Sequence, residues 1–99
     1  MDLVYHLGGL DFEWDEDKAR TNWLKHGVTF EEAAEVFLDP LGVESDASVP
    51  DEQRDQIMGY SFANRLLLVV YTERRPRTRI ISARRATRAE RKQYAASQP

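Results

Sequence analysis

The sequence of 99 residues contains no cysteine and no long hydrophobic run. The absence of cysteine excludes disulfide bonds, thiolate metal sites and thiol nucleophiles, and it suits a reducing compartment. No stretch approaches the roughly 18 consecutive apolar residues that a membrane-spanning helix needs. The first residues include Asp2 but neither a basic cluster nor an apolar segment, so no signal peptide is predicted. Together these absences predict a cytoplasmic protein with no membrane contact.

Ligands for a metal or a phosphate group are also scarce. Only two histidines are present, His6 and His26, and they do not have the spacing of metal ligands. Asp15-Glu16-Asp17 could attract Mg²⁺, but the start of a helix explains these acids better because the helix dipole favours negative charge there. The sequence has no glycine-rich phosphate loop and no Ser-His-Asp signature. We therefore predict neither a metal site nor a cofactor.

Acidic residues are almost missing from the second half of the chain. Residues 1–55 contain fifteen Asp or Glu against four Lys or Arg, a net charge of −11. Residues 56–99 contain only Glu73 and Glu90 against ten Lys or Arg, a net charge of +8. Such an asymmetry within one small domain predicts an anion-binding face on an otherwise acidic protein. The alternative is that the two halves neutralise each other inside the fold.

The length of the chain fits a single domain with a modest core. Residues 1–9 end in Gly8-Gly9 and are predicted to form a loose N-terminal extension. The folded domain is therefore expected over residues 10–99. We find no internal repeat and no sign of a second domain.

Periodicity and capping signals predict the order strand, helix, helix, three or four strands, helix. Thr29 with Glu32, and Thr87 with Glu90, have the spacing of capping boxes. The predicted helices cover 15–26, 29–38 and 87–96, and the predicted strands cover 10–14, 41–44, 56–62, 66–72 and 78–84. Short turns between the later strands predict antiparallel hairpins. The predicted fold class is α+β, an antiparallel sheet of three to five strands with two N-terminal helices and a C-terminal helix, all on one side.

The last predicted strand and helix carry a dense set of cations, nearly all of them arginine. They are Arg77, Arg79, Arg84, Arg85, Arg88, Arg91 and Lys92. A planar guanidinium makes bidentate contacts to phosphate and stacks on bases, which an ammonium does less well. The arginine bias therefore favours nucleic acid as the anion. A solvated charged face and a docking surface for an acidic protein are the alternatives.

The first predicted helix has a polar stripe of Lys18, Asn22 and Lys25, with His26 beside it. A histidine can act as general acid or base in phosphodiester cleavage, although His26 also suits the end of a helix. Tyr94 lies one helical turn after Glu90 and is predicted to be exposed at the basic edge, where it could stack on a base. Tyrosines 60 and 71 lie in strands and are predicted to be core.

Several blocks of the sequence resemble the BrnT toxin family. The resemblance spans about residues 11–95, with the order and spacing of the family's motifs intact, and residues 1–10 fall outside it. The first block comprises Phe12-Glu13-Trp14-Asp15, Lys18, Asn22, Lys25-His26-Gly27-Val28 and Phe30-Glu31-Glu32-Ala33. The second comprises Arg54, Gly59, Leu68-Val69-Val70-Tyr71-Thr72, Arg79-Ile80-Ile81-Ser82-Ala83-Arg84, Glu90, Arg91 and Tyr94.

The resemblance implies the toxin of a bacterial type II toxin–antitoxin pair, with a RelE-like ribonuclease fold. Such a toxin cleaves RNA and inhibits translation. Its implied partner is BrnA, a ribbon-helix-helix antitoxin, and operator DNA would be bound only through the toxin–antitoxin complex. Carried over by position, the polar residues of the motifs are Lys18, Asn22, Lys25, His26, Arg54, Arg79, Arg84, Glu90, Arg91 and Tyr94.

We hypothesise a metal-independent endoribonuclease, which needs a base, an acid and cations at the scissile phosphate. The candidate catalytic residues are Arg84, Arg79, His26, Glu90 and Tyr94. The candidate RNA-binding residues are Lys18, Asn22, Lys25, Arg54, Arg85, Arg88, Arg91 and Lys92. The main alternative is a non-catalytic RNA-binding or partner-docking module. Direct DNA binding is a weaker alternative because no recognition helix stands out.

Overall fold

The structure is a computed structural model that describes residues 1–99. It contains six strands, three α-helices and one turn of 3₁₀-helix at Val36–Leu38. The strands are β1 (Asp2–Leu7), β2 (Leu10–Asp15), β3 (Val43–Asp46), β4 (Asp55–Tyr60), β5 (Leu66–Arg74) and β6 (Arg77–Arg85). The α-helices are α1 (Glu16–His26), α2 (Phe30–Glu35) and α3 (Arg88–Ala96). None of the helices combines the length and the apolar character that crossing a membrane requires.

The strands form one sheet in the order β1-β2-β6-β5-β4-β3. The pairs made by β3 to β6 are antiparallel, as the short turns predict, but β2 pairs with β6 in parallel. The prediction of an antiparallel sheet of three to five strands is therefore wrong, since the sheet has six strands and is mixed. β2 and β6 are adjacent in the sheet but are separated in the sequence by α1, α2 and three strands. A long crossover connection of this kind permits a parallel pair, which a short turn does not.

The expectation of a loose extension over residues 1–9 is also wrong. Residues 2–7 form β1, which pairs antiparallel with all of β2. Gly8 and Gly9 adopt φ angles of 58° and 78°, which suit a tight hairpin turn and are unfavourable for other residues. The sequence signal lies in the alternating Leu3, Tyr5 and Leu7, whose side chains pack against the core.

The two faces of the sheet are covered differently. The core face carries the main hydrophobic cluster and packs against α1, α2 and the 3₁₀ turn; its strand residues are Phe12, Trp14, Ile57, Leu67, Val69, Tyr71, Ile80 and Ala83. On the opposite face, called here the open face, Met58, Leu66 and Leu68 pack against Tyr94 of α3. The prediction that all helices lie on one side is wrong, because α3 covers one end of the open face.

The helix boundaries follow the predicted capping residues closely. Asp15 caps α1, and Gly27 ends it with a φ of 65°. Thr87 and Glu90 form the predicted capping box of α3. At α2 only half of the predicted box forms. Thr29 accepts a hydrogen bond from the Glu32 backbone, but the Glu32 carboxylate binds other side chains.

Candidate functional site

A β-bulge in β6 decides which arginines share a face of the sheet. Tyr71 pairs with Ile80, whereas the preceding Val70 pairs with Ser82, so Ile81 is an extra residue in the ladder. Side chains alternate along a regular strand, and residues five apart point to opposite faces. The extra residue reverses this alternation and places both Arg79 and Arg84 on the open face. Ser82 lies between them on the same face.

Asn22 fixes the position of α1 beside the second half of β6. Its side chain is buried, and its Nδ2 donates hydrogen bonds to the carbonyls of Ala83 (2.8 Å) and Val28 (3.0 Å). Its Oδ1 accepts a hydrogen bond from the Ala83 backbone N–H at 3.1 Å. The Asn22 amide thus pairs with both backbone groups of Ala83, as a neighbouring strand would. The N–H and C=O groups of Ala83 are therefore both satisfied.

A polar pocket of about 300 Å³ lies between α1 and β6. The α1 residues that line it include Lys18, Lys25 and His26, and the β6 residues are Ile81 and Ser82. The side chains of the two lysines and the histidine are exposed and form no salt bridge. Because Ser82 belongs to the open face, the pocket connects the polar stripe of α1 to the face that carries Arg84.

Arg84 is held by a bidentate ion pair with Glu90. Its Nη1 and Nη2 donate to the two carboxylate oxygens at 2.8 and 2.9 Å, while 39% of the Arg84 side chain remains exposed. The Arg84 guanidinium lowers the pKa of Glu90 to about 2, and a hydrogen bond from the Thr87 backbone N–H contributes. Glu90 is therefore ionised at neutral pH and cannot donate a proton there. It orients Arg84 and caps α3 at the same time.

Arg79 is more completely neutralised than Arg84. Its Nη1 donates to Glu13 at 2.7 Å and to Asp2 at 2.9 Å, and its Nη2 also donates to Asp2 at 3.1 Å. Only 16% of the Arg79 side chain is exposed. These hydrogen bonds raise its pKa above the usual arginine value. Arg79 thus ties β1 and β2 to β6 with three charge-assisted hydrogen bonds.

Arg54 lies just before β4 and pairs with Glu52 at 2.9 Å. Alternation from Met58, which packs against α3, places Arg54 on the open-face side of the sheet. The hydrogen bond from Arg54 lowers the pKa of Glu52, and the charge of Lys18 contributes to the same shift.

Tyr94 does not have the exposed position that its sequence predicts. Its side chain is 6% exposed, and its hydroxyl donates a hydrogen bond to Asp39 Oδ2 at 2.7 Å. Burial and this carboxylate raise the pKa of Tyr94 to about 12. Tyr71 is buried as predicted, whereas Tyr60 is 38% exposed and packs edge-on against Tyr94. Tyr94 therefore anchors α3 to the sheet.

The remaining predicted RNA-binding cations lie at the end of β6 and on α3. They are Arg85, Arg88, Arg91 and Lys92, all of which are exposed and without a salt bridge. Arg65 donates a hydrogen bond to Glu32 at 2.9 Å, and the next residue, Leu66, accepts a hydrogen bond from the Ala86 N–H just after β6. Arg65 also donates to the carbonyl of Gly27, which follows α1. The end of β6 therefore lies close to the C-terminus of α1.

The structure thus brings part of the predicted site together. Lys18, Lys25 and His26 line one pocket, and Arg84 lies on the open face that this pocket joins. Sequence reasoning missed Ser82, which lines the same pocket. The alternation of Ser82 with Arg84 was the available signal.

No group of three or more His, Cys, Asp or Glu side chains is arranged to hold a metal ion. The acids at the start of α1 have a structural role in this fold. Asp15 accepts a hydrogen bond from the Lys18 backbone N–H at 3.0 Å, and Glu16 and Asp17 occupy the first turn.

The comparisons with known proteins agree with the resemblance seen in the sequence. A sequence profile described as the ribonuclease toxin BrnT of type II toxin–antitoxin systems matches residues 14–90. The crystal structure of the ribonuclease toxin BrnT from Brucella abortus is similar to this chain, with a TM-score of 0.58 and 26% identity. The similarity covers 76% of this chain and 94% of the Brucella chain. No curated protein sequence matches. Since the profile spans most of the chain, the protein belongs to the BrnT family of ribonuclease toxins of type II toxin–antitoxin systems.

Proposed function

We propose that this chain is a metal-independent endoribonuclease that cleaves RNA in the cytoplasm and inhibits translation. A ribbon-helix-helix antitoxin of the BrnA type neutralises it, and the complex binds operator DNA through the antitoxin. Family membership supports the ribonuclease activity and the existence of an antitoxin. A RelE-like fold is part of the same proposal. The observation that carries the site is the pocket between α1 and β6, which joins His26 and two free lysines to the arginine face.

The cleavage step needs only groups that this chain supplies together with the RNA. The 2′-hydroxyl oxygen attacks the adjacent phosphorus, and the bond from phosphorus to the 5′-oxygen breaks. Neutral His26 accepts the 2′-hydroxyl proton, and the leaving 5′-oxygen takes a proton from that imidazolium or from water. The products are a 2′,3′-cyclic phosphate and a 5′-hydroxyl. His26 is the candidate for this role because it lines the pocket and an imidazole can act as general base in phosphodiester cleavage.

The cations of the site bind the phosphates and stabilise the transition state. Lys18 and Lys25 bind the phosphates on either side of the cleaved bond, and Arg84 stabilises the negative charge of the phosphorane. Glu90 positions Arg84 through the bidentate pair and does not itself transfer a proton. A preoriented cation of this kind contributes about 2–4 kcal/mol to the activation free energy.

The other predicted residues take supporting roles. Arg79 maintains the β1–β2–β6 ladder, and Tyr94 anchors α3 to Asp39. Asn22 positions α1 through Ala83. The exposed cations at the end of β6 and on α3 extend the anion-binding surface; they are Arg85, Arg88, Arg91 and Lys92. Arg54 contributes from the β3–β4 loop.

The test is cleavage of a labelled single-stranded RNA by the purified protein in the presence of EDTA. We expect cleavage by the parent protein and a rate at least about a hundredfold lower for His26→Ala and for Arg84→Ala. Arg75→Ala is the matched control, because Arg75 is an exposed arginine without a salt bridge at the far end of the β5–β6 hairpin. Circular dichroism establishes that each variant is folded.

Three outcomes would contradict parts of the proposal. Undiminished cleavage by both site variants would remove this pocket as the active site. Loss of parent activity in EDTA would contradict metal independence. Intact RNA with a strongly salt-dependent band shift would instead support the non-catalytic RNA-binding module, because phosphate contacts release counterions.

A further inference from the structure

The two tryptophans of this protein have opposite environments. Trp14 lies in β2 and is 2% exposed in the main core. Trp23 lies on α1 and is 53% exposed, and the next residue, Leu24, is 75% exposed. A large exposed indole on a short helix is unusual, because tryptophan is highly buried on average. Trp23 belongs to neither of the two hydrophobic clusters of the fold.

The surroundings of Trp23 are cationic. Residues 18–30 contain Lys18, Arg20 and Lys25 and no acidic residue. Arg20 and His26 lie three positions before and after Trp23 in the helix, so their side chains flank the indole. Neither Arg20 nor Lys25 forms a salt bridge. Arg20 therefore flanks the indole as a positive charge without a salt bridge, while Lys18 and Lys25 lie on the pocket side of α1.

We propose that Trp23 is a stacking platform for one base of a single-stranded RNA whose backbone enters the pocket beside His26. This inference rests on the proposed function, because it adds a base-binding subsite on the flank of α1 that adjoins His26, whereas Lys18 and Lys25 lie on the pocket side of the helix. Base–aromatic stacking tolerates any base, and a neighbouring cation holds the phosphate. The flanking Arg20 favours a polyanion over an apolar protein partner. An apolar partner would use Leu24 as much as Trp23.

Tryptophan fluorescence measures this contact directly, because only Trp23 is accessible. The probe is a ten-nucleotide 2′-O-methyl RNA, which lacks the attacking hydroxyl and cannot be cleaved by the proposed mechanism. We expect the RNA to quench the emission of the exposed indole, and an abasic oligomer of the same length to bind with little quenching. The buried Trp14 contributes a constant emission. The Trp23→Ala variant, in which Trp14 is the only tryptophan, measures that contribution.

Three variants separate stacking from other roles. Trp23→Ala should weaken binding of the 2′-O-methyl RNA about tenfold, which corresponds to the loss of one base stack. Trp23→Phe should restore part of that affinity because it keeps an aromatic face. Leu24→Ala is the matched control and should bind as the parent does. With cleavable RNA, Trp23→Ala should raise KM and leave kcat nearly unchanged.

The failure of this inference can be told apart from failure of the proposed function. Parent-like RNA binding by Trp23→Ala, with cleavage still lost in His26→Ala, would overturn the stacking role alone. Equal quenching by the abasic oligomer would also overturn it, since no base would then be needed. Equal loss of binding in Leu24→Ala would indicate a general apolar contact instead. Absence of cleavage by the parent, with quenching intact, would contradict the enzyme and leave the base-binding subsite standing.

Discussion

The core face and the open face of the sheet are built from different interactions. The core face is held by apolar side chains such as Phe12, Leu67 and Ile80, which are almost completely buried. Much of the open face is held by charged pairs, above all Arg79 with Glu13 and Arg84 with Glu90. Hydrophobic packing is non-directional, whereas a bidentate ion pair fixes the orientation of each group. The open face can therefore present cations in defined positions, which suits recognition of phosphate.

The cations of the protein also fall into two groups, those that form salt bridges and those that do not. Of the fourteen Lys and Arg, five form salt bridges, namely Arg54, Arg65, Arg77, Arg79 and Arg84. The other nine do not. Six of these nine lie within residues 56–99, namely Arg74, Arg75, Arg85, Arg88, Arg91 and Lys92. Internal neutralisation between the acidic and basic halves is thus real but incomplete.

The largest effect is expected from Asn22→Ala, which would detach α1 from β6. The substitution removes three hydrogen bonds and leaves buried backbone groups of Ala83 and Val28 unpaired. We expect a loss of about 3 kcal/mol in the free energy of unfolding and a Tm lower by more than about 10 °C. Urea and thermal unfolding followed by circular dichroism measure this. Lys25→Ala on the same helix is the control and should change stability by less than about 0.5 kcal/mol.

The second largest effect on stability is expected from Arg79→Ala, at the β1–β2 side of the open face. Arg79→Ala would leave Glu13, whose side chain is only 14% exposed, with no ion pair except the 3.9 Å contact to Arg77. We expect a loss of about 2 kcal/mol in the free energy of unfolding and faster amide hydrogen exchange in β1. Asp2→Asn serves as the comparison, because Asp2 is half exposed and its loss should matter much less. Equal losses of unfolding free energy for the two substitutions would contradict the claim that Arg79 holds β1 and β2 to β6 through both acidic partners.

These two predictions show where sequence reasoning reached its limit. The helix caps at Asp15 and Thr87 and the apolar periods of the strands depend on neighbouring residues, so they could be predicted. Arg79 and Arg84 lie on the same face of the sheet only because β6 contains a bulge, and no local sequence pattern at Ile80 or Ile81 predicts that bulge. Ion pairs between residues that are distant in the sequence, such as Arg79 with Asp2, cannot be predicted from local patterns either.

The position of β1 was missed for a related reason. The sequence predicts a loose segment that ends at Gly8-Gly9, although two glycines between alternating apolar residues also suit a hairpin. The prediction of an exposed Tyr94 is wrong because its hydrogen-bond partner, Asp39, lies 55 positions away in the sequence. Contacts of that separation are not visible in the local pattern of a single sequence.

A smaller effect is expected from the pH dependence of the Arg84–Glu90 pair. The pKa of Glu90 is about 2 in the folded protein, below the ordinary 4.5, so the pair stabilises the fold above about pH 4.5. That contribution is lost as the pH falls toward 2. Glu90→Gln should remove about 1–2 kcal/mol at pH 7, less than the full shift implies because Arg84 is partly exposed. Urea unfolding at several pH values should show the parent and the variant converging near pH 2.

The smallest effect is expected from Tyr94→Phe. The substitution removes only the hydrogen bond to Asp39 and keeps the packing against Met58 and Leu68. We expect a loss of about 1 kcal/mol in the free energy of unfolding and no change in RNA cleavage. A large fall in cleavage rate with an unchanged fold would mean that the Tyr94 hydroxyl takes part in the chemistry after all.

The most direct measurement of the proposed site is an NMR titration of ¹⁵N-labelled protein with the 2′-O-methyl RNA. If the pocket between α1 and β6 binds the scissile phosphate, the largest amide shift changes will occur at Lys25, His26, Ser82 and Arg84, and core-face residues such as Val69 will change little. Shift changes that leave α1 and β6 unaffected would contradict a cleavage site in this pocket.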